Sequence, residues 1–373
     1  MSSTYGKSLK LTVFGESHGE GIGCVLDGVP AGIEIDMDEL CAFLSRRAPG
    51  VRRELGAITT TRGEPDIPRF LSGICDGRTT GSPIAAVIEN TNTRSNDYKG
   101  FTSTPRPGHA DFTAAIKYGG AADMRGGGHF SGRLTAPLCI AGAICMAALK
   151  QSGITVGAHI LSVADVNDAA FDGVSLDGQT LAALDKMPFP TLEKEAGERM
   201  QEAIRAAHKD GDSVGGVIEC AVLGLPVGVG DPIFDGMENR IASILFGIPA
   251  VKGVSFGARE NGDDAFAFAR RRGSENNDAF VMTENGVKTK TNHAGGILGG
   301  ITNGMPLIFS CGFKPTPSIA REQETVDLEK GENTTVQIGG RHDPCVVLRA
   351  VPCVVAAAAI AVYDAILDNR DQR

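Results

Sequence analysis

The stretch GESHGEGIGCVLDGVPAG at 15–32 returns without a gap as GDSVGGVIECAVLGLPVG at 211–228. Eight of 18 positions are identical: Gly15/Gly211, Ser17/Ser213, Gly19/Gly215, Ile22/Ile218, Cys24/Cys220, Gly28/Gly224, Pro30/Pro226 and Gly32/Gly228. Composition alone would give about one or two, even in a chain this rich in glycine. An internal duplication follows, and its flanks describe the unit. Leu9 to Val13 alternates like a strand and runs into the turn Gly15–Gly19, and Gly23 to Val29 is a second strand closed by Pro30-Ala31-Gly32. Asp36 then caps a helix with Leu40, Phe43 and Leu44 on one face, which ends on Arg46-Arg47 before Pro49-Gly50. The second copy leads likewise into Met237, Ile241, Ile244 and Leu245 at helical spacing.

A second pair of matching segments extends the unit. Gly127-Gly128-His129 precedes Leu134-Thr135-Ala136-Pro137 and an alanine-rich run, and Gly339-Gly340-Arg341 precedes Leu348-Arg349-Ala350-Val351-Pro352 and another. Both runs are apolar nearly all round, which predicts buried helices. The segment 191–210 reads as an ordinary amphipathic helix, with Glu193 and Glu195 at its start and His208 and Lys209 at its end. The expectation is an α+β or α/β chain of antiparallel sheets and buried helices: one domain over 1–373, with pseudo-repeats at roughly 9–150 and 205–367.

Composition narrows the class. The 373 residues carry a net charge of -9, no Trp and four Tyr, which disfavours nucleic acid as a partner. Nine cysteines, an odd number with no C-x-x-C pair, read as buried reduced thiols and imply a cytoplasmic setting. The N-terminus has no signal-peptide pattern, and the apolar run Val351–Val362 holds about 12 residues against the ~20 of a bilayer span, so no membrane role is expected.

The duplicated turns differ: Glu16-Ser17-His18 in the first stands as Asp212-Ser213-Val214 in the second, so the turn shape does not require an imidazole and His18 is singled out. His18 is a candidate for proton transfer, the alternative being a loop histidine held by hydrogen bonds. His109, in PRPGHAD at 105–111, sits where Asp111 could cap a helix, whose N-terminus favours an anion. His293 and His342 are weaker candidates. Arginines cluster at Arg46-Arg47, Arg52-Arg53 and Arg270-Arg271-Arg272, and converging pairs would hold a small polyanion. Gly126-Gly127-Gly128 and the 295–300 run could bring backbone N–H groups to a phosphate. No metal-ligand spacing, P-loop or nucleophile elbow occurs, so no metal is expected.

GESHGEGIGCVLDGVP (15–30), RRAPG (46–50), RSNDY (94–98), RPGHAD (106–111), NHAGGILGG (292–300), KPTPSI (314–319) and GRHDPCVVLRAVP (340–352) resemble the chorismate synthase family, in order over nearly the whole chain. The resemblance implies a β-α-β sandwich, a homotetramer, and a lyase that converts 5-enolpyruvylshikimate 3-phosphate to chorismate and phosphate. This 1,4-elimination needs reduced FMN, and whether NADPH reduces that flavin on the protein stays open. It further implies that His18 protonates the departing phosphate, that His109 keeps the reduced flavin correctly protonated, and that Asp343 assists proton removal. Ser17, Arg47, Arg53, Ser131 and Arg133 would bind substrate. His129, Phe130, Ser131, Ala250, Gly299, Lys314, Pro315, Thr316, Pro317, Ser318 and Arg341 would bind flavin. His129 and Phe130 stand where the family often has Arg and Ser, and Ala356-Ala357 where it often has Glu-Ala. The competing readings are a noncatalytic flavin or phosphometabolite binding protein and, more weakly, an RNA binder using Arg270–Arg272.

Overall fold

A computed structural model describes residues 3–49, 58, 66–90, 103–260, 262–284, 286–339 and 342–371. Two five-stranded antiparallel sheets enclose a layer of helices. The first runs in the order Thr4–Tyr5, Lys10–Gly15, Gly21–Asp27, Ile84–Glu89, Arg69–Ser72. The second runs Val251–Phe256, Leu307–Phe313, Gly216–Leu223, Thr155–Val163, Val166–Asn167. Alternation decides which face each strand buries: Ile22, Cys24 and Leu26 point to the core of the first sheet, and Ile218, Cys220 and Val222 do so in the second.

Helix Thr135–Gln151 packs on the first sheet, helix Val347–Asp371 on the second, and the two pack on each other, flanked by Met37–Arg47 and Met237–Leu245. At their crossing the backbones nearly touch. A Cβ on Gly142 would overlap Ala356, so only small residues permit this approach. The segments Gly132–Gln151 and Val347–Arg370 are long and apolar enough to cross a bilayer, yet 78% and 94% of their most hydrophobic windows are buried inside the fold. Asp36 caps the helix Met37–Arg47 through the N–H groups of Asp38 and Glu39.

The duplicated segments are built alike. After each second strand the chain turns through left-handed glycines, Gly28 and Gly32 in one half and Gly224 and Gly228 in the other. Thr79 then secures the first turn and Thr302 the second by the same four bonds. Gly32 and Gly228 donate to the threonine carbonyl (2.8 and 2.9 Å), and Ile33 and Val229 donate to its hydroxyl (2.9 and 2.9 Å). The hydroxyl donates to the carbonyl of Pro30 or Pro226, and the threonine N–H to that of Ile33 or Val229. The strand paired like Lys10–Gly15 is Thr155–Val163, separated from its turn by an insertion with helices Gly178–Lys186 and Lys194–Lys209.

That insertion covers the outer face of the second sheet and seals in a charge cluster. His159 is wholly buried, with Nδ1 3.0 Å from Asp168 and Nε2 3.0 Å from Glu219. Burial alone would lower its pKa; the hydrogen bonds and charges of the two carboxylates outweigh burial and raise it. A raised folded-state pKa gives stability that is complete below the unfolded value near ~6.5 and fades as pH rises through the folded one. His159→Gln should cost about 3–5 kcal/mol at pH 6 and flatten the alkaline decline. Urea unfolding across pH 6–10 checks it, and a wild-type alkaline slope in the variant would refute it.

Candidate active site

A cavity of about 580 Å³ opens at the seam between the two halves. First-half walls include Arg47, Arg106, His109, Gly126, His129, Phe130, Ser131 and Arg133, and the second half contributes Ala250, Lys314, Thr316, Pro317, Ser318, His342, Asp343 and Arg349. The two duplicated turns support these walls from behind. Ser17 N–H holds the carbonyl of Gly128 at 3.1 Å. In the second copy, Ser213 Oγ holds the carbonyl of Thr316 at 2.7 Å and Val214 N–H that of Pro344 at 2.9 Å.

The glycine loop shows why those residue types stand there. Gly126, Gly127 and Gly128 all have positive φ (62°, 90° and 54°), a run that only glycine adopts readily. A Cβ on Gly126 would collide with the His18 imidazole, and one on Gly127 would lie 3.3 Å from His109 Nε2. The bare backbone therefore threads between the two histidines. Ser17 and His18 are buried behind Gly126 instead of lining the cavity themselves.

Asp111 does not cap the helix Asp111–Tyr118, whose start has no side-chain cap. Its carboxylate is taken by Arg106, through N (3.1 Å), Nε (2.7 Å) and Nη2 (2.8 Å), and by His109 Nδ1 (2.7 Å). A charged fork in a dry site outcompetes a helix N–H. Burial pushes the Asp111 carboxyl up, but the bonds and charges of Arg106 and His109 prevail and hold it well below the usual carboxylate range. The arrangement fixes the His109 ring with Nε2 toward the glycine loop. Arg106 also reaches Ser318 Oγ at 3.3 Å, joining the halves.

Arg47 and Arg133 converge, but on a residue the sequence did not single out. Asp66 accepts from Nη1 of each, one on each oxygen, and all three side chains are nearly inaccessible. Arg47 also donates to Thr135 Oγ1 (3.0 Å) and Gly132 O (3.1 Å), and Arg133 to Asn90 Oδ1 (3.2 Å). Asp343 pairs with Arg349, whose Nε donates to Arg47 O at 3.0 Å. Burial holds the pKa of His342 below the ordinary histidine value, and burial also lowers that of Lys314, with the charge of Lys252 adding to it.

Some expected residues lie elsewhere. Gly299 has a left-handed φ of 62° in the turn between Ile297–Leu298 and Ile301–Thr302, and neither it nor Pro315 lines the cavity. Both His129 nitrogens are engaged, Nδ1 with Gly15 O (2.8 Å) and Nε2 with Ser3 Oγ (2.9 Å). Arg270 and Arg271 pair with local acids, Asp264 and Asp263, and His293 sits by Asn276 and Asp278. Arg52, Arg53, Arg341 and the RSNDY segment at 94–98 lie outside the described residues.

The family model described as chorismate synthase matches residues 9–367. A chorismate synthase of Lancefieldella parvula is 43% identical over 98% of this chain and 96% of its own length. One from Thermococcus kodakarensis is 43% identical over 98% of both chains. A crystal structure of chorismate synthase superposes with a TM-score of 0.71 at 28% identity, over 97% of this chain and 93% of the other. Sequence match and shared architecture span nearly the whole chain, and the protein belongs to the chorismate synthase family.

Proposed function

We propose that the seam cavity is the active site of a carbon–oxygen lyase that removes phosphate from 5-enolpyruvylshikimate 3-phosphate to give chorismate, with reduced FMN bound in the same cavity. The observation that carries this reading is the convergence there of two oriented acid–base groups, His109 on Asp111 and Asp343 on Arg349, with the paired guanidiniums of Arg47 and Arg133. The donor set fits a flavin phosphate and ring. Thr316 Oγ1 is buried with no hydrogen-bond partner among the described residues, and Lys314, Ser318, Ala250, Ser131 and Phe130 share its wall. A buried hydroxyl without a partner is costly unless a ligand satisfies it. When bound, the reduced flavin would supply the electron density that stabilises the substrate as phosphate leaves.

In this reading Arg47 and Arg133 orient the substrate's anionic groups, and Ser17 and Ser131 support them. His18, which stands behind the bare backbone of Gly126 and not on the cavity wall, would give a proton to the departing phosphate past that glycine, His109 holds a proton near the cofactor, and Asp343 accepts one. The fold similarity and the matching Thr79 and Thr302 turns support a single domain of two pseudo-repeats, the second beginning at Thr155 rather than near 205. Phe280, Met282 and Val287 stand exposed on one hairpin, an apolar face of the kind a homotetramer would cover. The free cysteines accord with a cytoplasmic setting.

An anaerobic assay with photoreduced FMN, then with oxidised FMN and NADPH, tests the function. Phosphate release with reduced FMN is expected in the first arm, and the second decides whether the protein reduces its own flavin. Flavin binding with no phosphate release in either arm would favour the noncatalytic reading.

A further inference from the structure

Cys139 and Cys353 face each other across the crossing of the two central helices, with Sγ atoms 3.9 Å apart. Cys353 borders the cavity, and Cys139 is fully buried behind it. One turn further along each helix lies the Gly142–Ala356 approach, where the two backbones nearly touch. We propose that this pair is a redox-modification site in the cavity floor, oxidised to a disulfide by a small peroxide that enters the cavity.

In the first step the Cys353 sulfur attacks one peroxide oxygen. The O–O bond breaks, the sulfur is oxidised to a sulfenic acid, and one water leaves with the thiol proton. The Cys139 sulfur then attacks that sulfenic sulfur, the S–S bond forms, and a second water leaves. Two thiols and one hydrogen peroxide give one disulfide and two waters, with no further reductant or oxidant.

The surroundings assign the order of attack. The contact from Cys139 favours the Cys353 thiolate most, and the nearby charges of Arg47 and Arg349 add to it against the cost of burial. Burial instead pushes the thiols of Cys24, Cys311 and Cys345 up to about 12. Cys139 is held in the thiol form by burial, as suits the resolving partner. The bond would tie together the helices that carry Thr135, the partner of Arg47, and Arg349, the partner of Asp343.

The test treats the intact protein with a few equivalents of hydrogen peroxide, alkylates it, and maps its cysteines by mass spectrometry. The exposed Cys41 and Cys75 serve as internal references. The expected result is a Cys139–Cys353 linked peptide that dithiothreitol separates, formed roughly tenfold or more faster than oxidation of the other buried cysteines. In Cys139→Ser, dimedone should capture a sulfenic acid on Cys353; in Cys353→Ser, Cys139 should stay reduced. Full alkylation of both residues after Cys41 and Cys75 have reacted would overturn the proposal, and so would unchanged oxidation of Cys139 in Cys353→Ser. The wild-type map decides the matter even if a serine variant folds poorly.

Discussion

Replacing His18 by alanine is expected to lower turnover by about 10²-fold or more, the scale of lost general acid catalysis, while the protein stays folded and flavin binding stays near wild type. The duplicated architecture isolates chemistry from shape. At the equivalent position Val214 sits in the same kind of turn, its apolar side chain packed against the core and its backbone N–H holding the carbonyl of Pro344. The imidazole of His18 is therefore not what builds the first turn. What it gains by its position is contact with Gly126, a wall residue on which a Cβ would collide with the ring. Steady-state phosphate release, with flavin affinity measured by fluorescence titration, checks the prediction. Turnover within a few fold of wild type would remove His18 from the reaction.

A second large effect is expected at Asp66. Asp66→Ala leaves the buried guanidiniums of Arg47 and Arg133 facing each other, and loss of one partner of a buried ion cluster costs about 3–5 kcal/mol. Asp66→Asn, which keeps one acceptor oxygen, should cost less. Burial pushes the Asp66 carboxyl up, but the charges and hydrogen bonds of the two arginines outweigh it and hold the pKa below the ordinary value. A lowered folded pKa gives stability that is present above the unfolded value near ~3.9 and is lost as pH falls through the folded one. Wild type should thus weaken on acidification below about pH 4, and Asp66→Ala should lack that part of the decline. Inorganic phosphate should raise the urea midpoint of Asp66→Ala more than that of wild type, because an added anion replaces the missing carboxylate. A loss under about 1 kcal/mol, or no difference in response to phosphate, would mean that the arginines do not depend on Asp66.

Local chemistry made much of this legible in the sequence. The identities between 15–32 and 211–228 mark turns whose glycines need positive φ, and backbone conformation is a property that a short sequence carries. The strand Thr155–Val163 escaped the comparison because 52 positions separate Val163 from Gly215 only in sequence, not in the sheet, where Val163 pairs with Gly216. Asp66 left no local mark, since its partners lie 19 and 67 residues away. Arg349 stands in the quoted GRHDPCVVLRAVP motif, six residues after Asp343, and that spacing was the available signal for their pairing. The capping rule assigns Asp111 to the helix that follows it because it sees only that helix, whereas Arg106 arrives from the preceding turn with a stronger bond.

Each described arginine on the cavity wall already has a carboxylate: Arg47 and Arg133 share Asp66, Arg106 has Asp111, and Arg349 has Asp343. Occupation of such a cavity by a charged metabolite is ion exchange, in which a fixed internal counter-ion yields part of its coordination to the newcomer. Mobile ions play the smaller part, because the counter-charge is carried by the protein and not by the surrounding electrolyte. Affinity should accordingly decline less with added salt than at a groove of bare guanidiniums, where every bound anion must compete with the bulk.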